Sequence, residues 1–289
     1  MMRSFTPLTN LAALLAILMV AGVYARADSP DCSDSAKLLG KNETAQSLTA
    51  DCSKYVFDRA PASLSSTSAG GGYRAAGYKN MISIVSTQNQ SRYDFIAGSN
   101  TSLVQIQGVS IATPQKEVWI LDQTDLNRVE IKIFVSKYGG NLKPLRTYQD
   151  NKLNGAKFIQ VSKDGQEVAI WFPESQTIRV FSSEMPKNQN FAQLKVVWKR
   201  EVKLQGLKSD KIDSFFWISE KSQFVVGESD SHSIAVFDET KPLPTGELAR
   251  RDLPLKDSIL LDSISFDTAT ENLVAILKDG TTLPLGKDL

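Results

Sequence analysis

The chain is poor in the side chains that most metal and nucleophile chemistry uses: 289 residues contain two cysteines and one histidine. Zinc sites of the Cys/His type need three or four such ligands, so the count excludes them. A Ser-His-Asp triad would have only His232, and Asp230-Ser231-His232-Ser233 reads as a polar turn. The sequence has no Gly-x-Ser-x-Gly, no His-Glu-x-x-His, no phosphate loop, no dinucleotide fingerprint and no EF-hand spacing. It also lacks charge of one dominant sign. Lys plus Arg number 33 against 32 Asp plus Glu, and no basic run of five occurs. Nucleic-acid affinity comes from neutralised phosphates, so nucleic acid is not an expected partner. Beyond the N-terminus no apolar run is long enough to span a bilayer. Nothing in the pattern asks for a cofactor.

What is present begins with an export signal. Arg3 supplies a positive start, Leu11 to Val23 is apolar, and Ala25-Arg26-Ala27 offers a small-x-small cleavage site. Residues 1–27 are therefore predicted to be a signal peptide, giving a periplasmic or extracellular product without an integral membrane segment. Ser29-Pro30-Asp31 precede Cys32, which argues against a lipid anchor. Export favours a disulfide between Cys32 and Cys52. Closing that loop would remove on the order of 3 kcal/mol of unfolded-state freedom. Two buried thiols or half of a metal site are the alternatives. Residues 28–62 read as a small, partly helical segment stapled in this way. Residues 63–77, rich in Ser and Gly, read as a flexible linker.

Residues 78–289 carry a pattern that returns four times, with a spacing of roughly 50 residues. Gly108–Ala112, Glu117–Leu121 and Ile131–Val135 form its first copy. The second is Phe158–Ser162, Glu167–Trp171 and Thr177–Phe181. The third is Phe215–Ser219, Gln223–Gly227 and Ser233–Phe237, and the fourth Ser263–Asp267, Asn272–Ile276 and Thr281–Leu285. Alternation within these runs, and turns such as Lys163-Asp164-Gly165-Gln166, predict strands joined by tight connections. A further extended stretch follows the third run in three copies: Pro144–Tyr148, Val196–Leu204 and Ala249–Leu255. The prediction is an all-β propeller of about four, possibly five, four-stranded blades. Met81–Val85 and Arg92–Ile96 lie upstream as surplus strands, and are expected to close the last blade.

Ile133-Phe134 followed by Gly140-Asn141-Leu142-Lys143-Pro144-Leu145-Arg146-Thr147-Tyr148 resembles the "VF…GN-x-x-P-x-R-x-I" segment of bacterial NHL-like, YVTN-type propeller repeats. Gly98–Leu103 through Gln107–Ile111 resembles their strand entry. The resemblance implies a propeller acting as a binding platform, often exported. It implies no substrate.

The loops between second and third strands carry Asp122, Asp125, Glu174, Glu228, Asp230 and Asp279. In a propeller, equivalent loops share one face, so these acids are candidates for an acidic ring facing a cation or a basic partner segment. Ordinary turn chemistry and solubility account for the same residues. Trp119, Trp171, Trp198 and Trp217 lie in predicted strands, where packing between blades is expected of them. Two functions follow as expectations. One is a non-catalytic, exported binding or scaffold module for a protein or envelope component, with possible self-association. The other is a metal-dependent hydrolase resembling sugar-lactonase propellers, for which only Asp213 and Asp262 stand at inner-strand entrances.

Overall fold

A computed structural model describes residues 65–67, 73–78, 80–86, 93–112, 116–135, 140–184, 194–208, 211–229, 231–255, 260–267, 272–279 and 281–286. The predicted signal peptide, the Cys32/Cys52 staple, the helical segment and Asp230 lie outside the described residues. The first sheet holds β1 (Ser65–Thr67), β2 (Tyr73–Tyr78), β3 (Met81–Ser86) and β4 (Tyr93–Ile96). The second holds β5 (Ile106–Ala112), β6 (Glu117–Asp125), β7 (Arg128–Val135) and β8 (Arg146–Gln149). The third holds β9 (Phe158–Val161), β10 (Glu167–Phe172), β11 (Thr177–Ser182) and β12 (Trp198–Lys203). The fourth holds β13 (Ile212–Ile218), β14 (Gln223–Glu228), β15 (Ser233–Asp238) and β16 (Arg251–Pro254). A fifth has three strands, β17 (Leu261–Asp267), β18 (Asn272–Leu277) and β19 (Thr282–Pro284). Each sheet is antiparallel with neighbours in chain order, and the four-stranded sheets are arranged as propeller blades.

Two expectations are corrected here. The N-terminal strands do not close the last blade: β3 pairs with β2 and β4 inside the first sheet. The reason is that β1 and β2 already supply their partners, within the stretch read as a linker. Small residues (Ser-Ser-Thr and Ala-Ala-Gly) hid these strands. Among the described residues the last sheet instead ends at β19, whose Pro284 falls opposite Val274 in a position that does not bond to β18. Its missing N–H is therefore on the free edge, where proline blunts further pairing.

Alternation builds the core. Side chains along a strand point to opposite faces, so a second strand between two neighbouring sheets must be apolar on both. In β6, Val118 and Ile120 enter the core shared with the first sheet, while Trp119 and Leu121 enter that shared with the third. In β10, Ala169 and Trp171 face the fourth sheet, while Val168 and Ile170 face the second. β18 shows the end of the series: Leu273, Ala275 and Leu277 are buried, whereas Val274 and Ile276 are half-buried.

Polar clips join the sheets at both rims. On the inner strands, Val161 N–H donates to Ser110 Oγ at 2.9 Å, Trp217 N–H to Gln160 Oε1 at 2.8 Å, and Ile264 N–H to Ser214 Oγ at 3.2 Å. These inner strands share no backbone ladder, and a serine or glutamine side chain bridges each gap. At the outer rim, parallel bridges Ile96–Gly140, Tyr148–Leu194 and Leu204–Leu248 link successive sheets. Gly227 is where one inner clip needs space: a Cβ there would lie 2.2 Å from Ser214 Oγ.

Candidate functional site

The six acids singled out in the sequence do not behave as one group. Asp122, at the end of the β5-paired part of β6, is fully buried. Its Oδ1 accepts N–H bonds from Val104 at 3.0 Å and Gln105 at 2.9 Å, and Lys132 Nζ lies 2.6 Å from Oδ2. Lys132 also donates to the carbonyl of Ser102. Glu228, closing β14, repeats the device. It accepts Lys208 N–H at 2.6 Å and pairs with Arg250 at 2.8 Å, while Arg250 donates to Gly206 O at 2.6 Å. In both sheets an acid and a cation fold the loop that enters the first strand. A buried charge is tolerated only when paired and hydrogen-bonded, and these are.

The other acids stay local. Asp125 is exposed and accepts its neighbour Leu126 N–H at 2.6 Å; Glu174 is exposed in the β10–β11 turn. Asp279 accepts Thr281 N–H at 2.9 Å and its hydroxyl at 2.7 Å, which holds its carboxyl below the usual range. Asp213 is half-buried, Asp262 and His232 are exposed. Among the described residues no three His, Cys, Asp or Glu side chains are grouped closely enough to hold a metal ion.

Residues the sequence reading passed over form a second charged system at the opposite ends of the strands. Glu117 opens β6, and its carboxylate takes Arg146 of β8 at 2.5 Å and the indole N–H of Trp119 at 3.1 Å. Tyr148 stacks on Trp119 with ring centroids 6.0 Å apart. Burial pushes the Glu117 carboxyl up, against the opposing pull of the Arg146 charge and of hydrogen bonds from Trp119 and Arg146. Glu167 opens β10 in the same way, pairing with Arg200 of β12 at 2.9 Å and Lys199 at 3.3 Å. Arg200 continues across to Glu239 at 2.9 Å. The available signal was an acid opening the second strand and an arginine in the fourth of the same unit.

Arg200 and Glu239 border a cleft of about 550 Å³ between the third and fourth sheets. It lies on the β9–β10 and β13–β14 turns, the face opposite to the predicted acids. Lys163 and Glu220 span it at 2.7 Å, and its floor includes Trp217, over which the Arg200 guanidinium sits at 5.7 Å. Trp119, Trp171 and Trp217 are buried between sheets, in keeping with packing; Trp198 is half-buried.

Beside the exposed acids Asp125, Glu174 and Asp279, the same face also presents apolar groups. β6 and β7 are the longest strands of the four blades, at 9 and 8 residues, and their hairpin ends in Leu126, which is 87% exposed. Gln123 Nε2 donates to Leu126 O at 3.3 Å, and Thr124 Oγ1 to Arg128 O at 3.4 Å. Val104, 55% exposed, belongs to the adjoining entry loop that Asp122 holds. No known protein family and no curated protein matches the chain.

Proposed function

We propose that the chain is an exported, non-catalytic binding or scaffold module on an NHL-like, YVTN-type propeller, presenting face loops to a protein or other envelope component. The observation that carries this reading is the division between acids and loop tips. Asp122 and Glu228, the most convergent acids of the loop face, are saturated by loop N–H groups and cations, while Leu126 is held out into solvent. An isolated exposed leucine is ordinary. Leu126 sits instead on a hairpin tip ordered by Gln123, Thr124 and Asp125, and rigidly placed loops are where binding residues concentrate.

The test uses the protein as bait in envelope extract, competed with free protein and read by mass spectrometry. A competed partner, recovered with metal-free protein, is the expected result. Tightly bound metal accompanied by lactone hydrolysis would overturn the reading in favour of the hydrolase.

A further inference from the structure

A second cleft, of about 440 Å³, lies against the outer strand β12 and has the opposite charge to the expected face. Its lining is Lys152, Arg179, Trp198, Lys199, Arg200 and Glu201: four cations and one acid. Glu201 takes Arg179 at 2.5 Å, and Glu167 and Glu239 reach Lys199 and Arg200. Lys152 is exposed, and its ammonium has no acceptor among the described residues. The Arg179 guanidinium lies 4.6 Å over Phe172 and 5.9 Å from the Trp198 ring, which fixes its plane. The indole N–H of Trp198 is buried and has no partner among the described residues. Next to it Val197 is 68% exposed. β12 is also the last strand of its sheet, so the outward backbone groups of residues 198–202 have no ladder partner among the described residues.

We propose that this cleft docks an extended, acidic peptide segment of a partner protein. Its carboxylates would face Lys152, Arg179 and Lys199, and its backbone would run along β12. The proposal rests on the binding-module reading and adds the partner's chemistry at a site away from the loop face. Carboxylate suits guanidinium and ammonium groups, as it would in an acidic polysaccharide. The open backbone edge beside the cations favours a peptide, because strand addition supplies main-chain hydrogen bonds that a sugar chain does not. The existing pairs are no obstacle: ion pairs open to solvent contribute little, so an incoming carboxylate replaces them at small cost.

Fluorescence anisotropy of a labelled eight-residue alternating Glu–Val peptide with the full chain is the test. Saturable binding is expected, weakening as salt screens the charges. It should fall at least about tenfold, a change of about 1.4 kcal/mol, for the Gln–Val peptide and for a Lys152→Glu/Lys199→Glu variant with unchanged melting. No binding, equal binding of the Gln–Val peptide, an unaffected variant, or polygalacturonate bound in preference to peptide would each overturn the cleft. An envelope partner captured equally by wild type and the double variant would also remove the cleft, while leaving the loop-face reading in place.

Discussion

Asp122 and Asp125 stand three residues apart in one hairpin, yet one is fully buried and the other exposed. Asp122→Ala takes from buried Lys132 its nearest carboxylate, leaving Glu130 at 3.8 Å and the Ser102 carbonyl, and releases two loop N–H groups. Removing one partner of a buried pair costs about 3–5 kcal/mol, so urea unfolding of this variant should shift by that order. Asp125→Asn should stay within about 0.5 kcal/mol of wild type in the same measurement. Local sequence did not separate the two, because what buries Asp122 is the 98–105 loop folded over it. Lys132, its partner ten positions on, looked like an ordinary strand lysine. Glu117 permits a pH test at the same scale. Its carboxyl is raised in the fold, so folded protein takes up the proton more readily than unfolded chain. The stability tied to this is present at low pH and declines as pH rises from the ordinary carboxylate value through the folded one. Glu117→Gln removes that decline, so in parallel chemical unfolding the variant should gain on wild type as pH rises above the ordinary carboxylate range. A constant difference across that rise would contradict the direction assigned to Glu117.

Strands were the most legible elements. Period-two alternation with Gly and Asp turns placed β9 to β11 and β13 to β15 within a few residues, because burial on both faces writes itself into consecutive apolar side chains. β1 and β2 were missed for the converse reason: Ser, Ala and Gly carry no such signature, and pairing of β1 with β2 and of β2 with β3, rather than side-chain bulk, makes them strands. The inter-sheet clips are single side chains at exact registers, and no periodicity announces them. Gly227→Ala tests one. The added methyl would displace Ser214 Oγ and break the bond from Ile264 N–H, so amide exchange in β17 and β18 should accelerate while β9 to β11 keep their protection. Unchanged exchange in β17 would mean the clip contributes nothing to holding the fifth sheet.

For the whole molecule, stability should follow the order of the sheets. β10 and β14 are covered on both faces, and their strands sit within four-stranded sheets. Among the described residues β18 is fully buried on one face only, and its sheet has neither a fourth strand nor the outer-rim bridge that joins the earlier sheets. Native-state hydrogen exchange should therefore show the earliest opening in β18 and β19. The same scale separates what holds the molecule from what it offers. Asp122, Glu228, Glu117 and Glu167 are paired within the chain, and the binding surfaces proposed above are the Leu126 hairpin and the β12 edge. The most direct test is capture of an envelope partner on immobilised wild-type protein and on Leu126→Asp, with melting temperatures matched. Capture should fall at least about tenfold on Leu126→Asp while stability stays within about 0.5 kcal/mol. Equal capture by the two proteins would contradict the assignment of the loop face as the binding surface.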